Sequence, residues 1–234
     1  MLRHLALFLL AATTPLSAAA PLRSFTVTSF DRIRVEGPYA VTLSVGRSPF
    51  ARAEGSAAAL DRIDLRVEGR TMIIRQRSVA TSGQGSASGP PVRIALGTPD
   101  LRVASLSGAG SLAIDRLRGL SIDVAVSGPG RLTVATIEAD RLFAAVQGSG
   151  GLTLAGRVKS ASLTASGAPV LAAAALIAEE AKISAEGAAE VTATVRSRAT
   201  VFAAGTGIVR LSGQPTCVQR LSGSATIEGC AGGR

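Results

Sequence analysis

A small-Gly-small tetrad recurs seven times in this chain from residue 107 onward: Ser107-Gly108-Ala109-Gly110, Ser127-Gly128-Pro129-Gly130, Gln147-Gly148-Ser149-Gly150, Ser166-Gly167-Ala168-Pro169, Glu186-Gly187-Ala188-Ala189, Ala204-Gly205-Thr206-Gly207 and Ser222-Gly223-Ser224-Ala225. The leading glycines are 20, 20, 19, 20, 18 and 18 residues apart. Four places after each stands an aliphatic residue: Leu112, Leu132, Leu152, Leu171, Val191, Val209 and Ile227. Two places before stand Leu106, Val126, Val146, Ala165, Ala185, Ala203 and Leu221, with further apolar positions at minus four and plus six. An apolar period of two on both sides of a glycine describes two short strands, each with one buried face, joined by a turn. A meander of hairpins would not need the same residue class at the same offset in every copy. A solenoid does, because equivalent residues lie above one another around a common interior.

The glycines Gly108, Gly128, Gly148, Gly167, Gly187, Gly205 and Gly223 are read as structural turn residues, supplying positive φ or close backbone approach. Valine at Gly128 or Gly148 is expected to cost more than a surface change. The interior positions shift from Leu and Val to Ala165, Ala173, Ala181, Ala185, Ala193 and Ala203, so the solenoid should narrow toward its C-terminal end. That end needs a cap, since open strand edges invite aggregation. The tail with Pro215, Cys217 and Cys230 is placed to provide one. Two thiols in an exported chain pair more readily than they stay free, and closing that loop contributes about 3 kcal/mol. Two structural thiols or a redox pair are the alternatives, although redox pairs are usually closer, as in Cys-x-x-Cys.

Export is expected from residues 1–19, where Met-Leu-Arg-His precedes the apolar run Leu5 to Ala12 and a small-residue stretch at Ser17, Ala18 and Ala19. This is the layout of a signal peptide cut after Ala19, and its apolar core is too short to span a bilayer. A retained anchor helix is the alternative. No later stretch approaches a membrane span, so the mature chain should be soluble. Strands are expected at 25–28, 31–36, 39–45, 50–54, 63–67 and 71–76, as an irregular opening of the same β structure, a short sheet region that would cover the first coil. Residues 78–91, rich in Ser and Gly, read as a mobile loop. Helix signals are nearly absent; the Ala-rich run 172–181 is the one competing helix, and its repeat offsets favour strand and turn.

The only histidine, His4, lies in the leader, which removes His-dependent catalysis and His-ligated metals from the mature chain. Asp115, Asp123, Glu138 and Asp140 share no common offset, so no acidic ladder of the kind used by polysaccharide-cleaving β-helices appears. The calcium-binding nonapeptide fails as well, because Leu or Val stands where its Asp would be. No catalytic, cofactor-binding or metal-ligating residue is assigned. The formal charge is +9, one less without Arg3, and nearly all of it is Arg. On the repeat alignment Arg116, Arg118, Arg157, Lys159, Arg196 and Arg198 point outward near a second turn, with Glu138, Glu179 and Glu180 among them. Phe143 and Phe202 also fall at outward offsets and are the only aromatics after residue 96, too few to stack nucleic-acid bases. These side chains are either an ordinary solvated surface or a contact stripe for an anionic envelope polymer or lipid.

The opening Phe30-Asp31-Arg32-Ile33-Arg34-Val35-Glu36-Gly37-Pro38-Tyr39-Ala40-Val41-Thr42-Leu43, the later Ile63-Asp64-Leu65-Arg66-Val67-Glu68-Gly69-Arg70-Thr71-Met72-Ile73-Ile74, the Ser-Gly-x-Gly repeats and the closing Gly205-Thr206-Gly207-Ile208-Val209-Arg210-Leu211-Ser212-Gly213 carry a family pattern. The chain resembles the head GIN domain of auto-transporter adhesins, a family once catalogued as a domain of unknown function. The resemblance covers residues 28–229. It implies an all-β, right-handed parallel β-helix-like solenoid in an exported bacterial envelope protein, in the periplasm or at the cell surface, and it brings no catalytic residues.

The expected organisation is a leader (1–19), a lead-in (20–27), a solenoid domain with an irregular part (28–96) and regular coils (97–229), and a short tail (230–234). The expected function is a non-catalytic module that binds an envelope polymer, a membrane component or another protein. A polysaccharide-acting enzyme and an accessory partner of an envelope-stress or secretion system are the alternatives.

Overall fold

The computed structural model describes residues 21–77 and 91–231. The expected leader with its cut after Ala19, and all but the last residue of the 78–91 stretch, lie outside the described residues.

The first strands are β1 (Leu22–Phe25), β2 (Arg32–Glu36), β3 (Ala40–Val45) and β4 (Phe50–Glu54). After α1 (Ala57–Asp61), the single helix among the described residues, come β5 (Ile63–Glu68), β6 (Thr71–Gln76), β7 (Arg93–Thr98), β8 (Val103–Ser107) and β9 (Ser111–Ile114). The regular coils are β10 (Leu117–Ser127), β11 (Arg131–Gly148), β12 (Gly151–Gly167), β13 (Val170–Gly187) and β14 (Glu190–Gly205). β15 (Ile208–Ser212), β16 (Thr216–Gly223) and β17 (Thr226–Glu228) finish the chain in one sheet that winds as a β-solenoid.

The equal-offset ladders are present. Val41, Leu112, Leu132, Leu152, Leu171, Val191, Val209 and Ile227 are successive parallel partners. All but Ile227 are buried. A second column runs Val35, Leu106, Val126, Val146, Ala165, Ala185, Ala203 and Leu221. Burying each Leu or Val side chain contributes about 1.5–3 kcal/mol, so the interior stack dominates the stability of every coil.

Three readings are corrected. Each coil is not a pair of short strands. β11, β12 and β13 run almost unbroken from one glycine turn to the next, and they bend where the register slips, between Val134 and Ile137 or between Ala173 and Ile177. A bulge turns the chain without ending the ladder, so no loop composition marks the bend. The first strand is Leu22–Phe25 rather than 25–28, because Leu22 to Phe25 pair antiparallel with Glu54 to Ala51. A helix occurs at Ala57–Asp61, started by Ser56, whose Oγ accepts a hydrogen bond from the Ala59 N–H at 3.3 Å. The Ala-rich run 172–181 is strand, lying within β13.

The opening region contains the first coil itself. β2 and β3 flank Gly37 and stack directly under β8 and β9, while β6 and β7 lie on their other side. Outside those, β5 on one flank and β4 and β1 on the other run antiparallel and close the N-terminal end. Two polar residues tie the excursion down. Thr98 Oγ1 donates to the Phe30 carbonyl, and buried Asp31 pairs with Arg70 at 2.9 Å. Tyr39 is buried against the same core, and its desolvation pushes the phenol above its usual pKa.

At the far end Cys217 and Cys230 form a disulfide, with S–S 1.98 Å and Cα–Cα 5.7 Å. Ala231 then makes a single parallel bridge to Thr216, its N–H donating to the Pro215 carbonyl at 3.0 Å.

Candidate functional site

The outward residues of successive coils stack as regularly as the inward ones, so the surface consists of columns. At the bend between β10's first residues and its long arm, direct pairing skips Leu120, Asp140, Lys159 and Glu179, which stand out as a corner. Beside this corner lies an open depression of about 770 Å³, lined by Arg118, Leu120, Glu138, Asp140, Arg157 and Lys159 among others. The structure thus brings together three of the six basic residues expected to point outward near the second turn. Arg196 and Arg198 continue the line on β14, and Arg116 begins it just before β10.

The basic line is interleaved with acids. Arg118 meets Glu138 of the next coil at 2.5 Å, and Lys159 meets Asp140 of the preceding coil at 2.7 Å. Arg196 and Arg198 lie 3.5 Å from Glu179 and Glu180, again one coil back, and Arg116 lies 3.8 Å from Asp115. Arg157, which lines the same depression, forms none of these ion pairs among the described residues. The pairs are exposed, with Arg118 at 79% side-chain exposure, so each contributes at most about 1 kcal/mol. Their effect is to cancel charge along the corner, so that the outward basic residues and the acids read among them in the sequence form one mixed-sign ladder.

Phe143 and Phe202 are exposed on a neighbouring face at 46% and 40%. Their columns differ: Asp123, Phe143, Ser162, Lys182 and Thr200 form one, and Ala125, Ala145, Thr164, Ser184 and Phe202 the other. The rings are therefore three coils and one column apart and do not touch a common point. A shallow depression of about 300 Å³ beside Phe143 is lined by small side chains, among them Ser105, Ala125 and Thr164.

Sequence reasoning missed a third feature. Arg210 sits between Glu190 of the coil below at 2.7 Å and Glu228 of the coil above at 3.4 Å. The signal was available, since opposite charges separated by one repeat length are stacked neighbours in a solenoid.

The seven turn glycines line one corner, each with positive φ, and successive members approach one another. Their part is structural. Among the described residues no three of His, Cys, Asp and Glu gather as a metal site, and no helix is long and apolar enough to cross a membrane.

The chain was compared with known proteins. The family model described as "Putative auto-transporter adhesin, head GIN domain" matches residues 29–215. A search of curated proteins gave no match. Among solved structures, a "putative adhesin" from Bacteroides fragilis superposes with a TM-score of 0.80 at 21% identity, covering 91% of this chain and 97% of the other. A "putative lipid binding protein" from Parabacteroides distasonis gives 0.71 at 18% identity, with coverage of 91% and 97%. A "putative adhesin" from Parabacteroides merdae gives 0.66 at 17%, with coverage of 91% and 96%. At these identities the superpositions establish a shared fold, while the family model spans most of the sequence directly. The chain belongs to the auto-transporter adhesin head GIN domain family.

Proposed function

We propose that this protein is an exported, non-catalytic module of the bacterial cell envelope or surface, which binds an envelope polymer, a membrane component or another protein along its flank. The observation that carries the reading is membership of an adhesin-head family on a fold whose outer side chains form continuous columns. Repeat scaffolds of this type present extended surfaces for binding. The corner around Arg157 and the face bearing Phe143 are the two candidate contact regions, one polar and one apolar. The solved structures described as adhesins support the same reading.

The test is retention of purified protein at low salt on lipopolysaccharide vesicles, peptidoglycan sacculi and immobilised host glycans, with antibody labelling of intact cells to locate it. Binding to at least one matrix is expected, weakened by Arg157→Glu or Phe143→Ala. No retention on any of the three would remove the binding role, and turnover of a uronate polymer would remove the non-catalytic part.

A further inference from the structure

The two ends of the solenoid are finished differently. At the N-terminal end the outer strands β1 and β5 run antiparallel to their neighbours, and β5 carries Asp64, Arg66 and Glu68. Charged side chains on an edge strand oppose pairing with another chain. At the C-terminal end β16 has Arg220 as its one charge, and among the described residues its outer edge is met only by Ala231, at Thr216. From Val218 to Gly223 no described residue pairs with that edge. The inward columns also stop here. Leu221 stands above buried Ala203 and is 52% exposed, Gln219 stands above Val201, and Ile227 stands above Val209.

An open edge with an apolar interior beside it is a template for a further strand. The N-terminal end of another copy does not fit, because its edge strands are antiparallel and β5 is charged. The C-terminal end of another copy does fit, in antiparallel pairing about a two-fold axis. Inward side chains must face inward ones, and a one-residue slip would reverse every side chain. Centring the axis on Arg220 would set two guanidinium groups opposite each other. With the axis at Gln219, Ser222 would fall where Ala231 already lies against Thr216. Centring on Leu221 avoids both: Leu221 meets its own equivalent, Arg220 faces Ser222, and Gln219 faces Gly223. We propose that two copies of this chain pair tail to tail through the open edge of β16, with the two-fold axis at Leu221, so that one continuous interior runs through both.

The proposal is independent of what the flank binds. Sedimentation velocity of the full chain, with the Cys217–Cys230 bridge intact, should show a dimer at micromolar concentration. Ser222→Lys sets an ammonium opposite Arg220 of the second copy and should weaken the dimer, while Ser222→Glu should tighten it. Each change is expected to be roughly three- to tenfold in Kd, because the contact occurs twice. Leu221→Lys should leave monomers. Both positions are exposed in the single chain, and circular dichroism would check that each variant folds. A monomer at every concentration, a dimer indifferent to charge at Ser222, or growth into longer assemblies would each overturn the proposal.

Discussion

Gly148 and Gly150 show why the tetrads hold so regular a spacing. Gly148 has φ +101°, a conformation in which an L side chain is strained, and a methyl group built on it would lie 3.2 Å from the Gly128 carbonyl oxygen. At Gly150 the added carbon would lie 2.6 Å from the carbonyl oxygens of both Gly128 and Gly130. Neither oxygen can yield, because the Gly128 and Gly130 carbonyls belong to the coil beneath and the Gly130 oxygen accepts from the Gly151 N–H at 2.9 Å. Gly46 is the internal control: its φ is +83°, but nothing lies within 4 Å of the added carbon. Gly150→Ala should therefore lower the unfolding free energy by about 3 kcal/mol or more, and Gly46→Ala by only about 1 kcal/mol. Urea unfolding of the two variants measures the difference. Equal costs would show that coil-to-coil approach at this corner is not what selects glycine.

At the scale of the element, the terminal coil differs from those before it. β16 and β17 are mostly exposed, each has a strand partner on one side only among the described residues, and the disulfide joins Cys217 near the start of one to Cys230 shortly after the end of the other. Reducing the bridge should release about 3 kcal/mol of loop-closure stabilisation, and the loss should fall on this coil. Amide exchange should accelerate across residues 216–231 on reduction while β11 to β13 stay protected. Uniform acceleration across all coils would contradict that account.

The regular elements were legible because every coil repeats one residue pattern at intervals of 18 to 20 residues. The equal offsets of Leu112, Leu132 and Leu152 from their turn glycines are enough to place them in a single column. The bends inside β11 to β13 were not legible, because a register slip such as the one between Val134 and Ile137 needs no particular side chain. Helix α1 is barely more than one turn, too short for a helical period to appear. The first coil escaped for a different reason. Its turn glycine, Gly37, stacks beneath Gly108, which is far more than one repeat away in sequence. The charged corner was half legible: the outward direction of Arg118 and Lys159 followed from the offsets, but their neutralisation by Glu138 and Asp140 required reading charges one coil apart.

Across the whole molecule, stability in a solenoid is close to a sum of coil terms and nearest-neighbour interfaces. β12 packs between two full-length neighbours, whereas among the described residues β17 has only β15. Native-state hydrogen exchange should therefore grade along the axis, slowest in β11 to β13 and fastest in β16 and β17. A single exchange rate for every strand would mean one cooperative unit instead. The N-terminal end departs from this additivity, because β2 and β3 are held between β6 and β7 on one side and β8 and β9 on the other. A ribosome completes β3 long before it delivers either of its partners, Arg93–Thr98 and Ser111–Ile114, so this strand must wait for neighbours still to be translated. That delay leaves β3 without a sheet partner while most of the solenoid is still unmade.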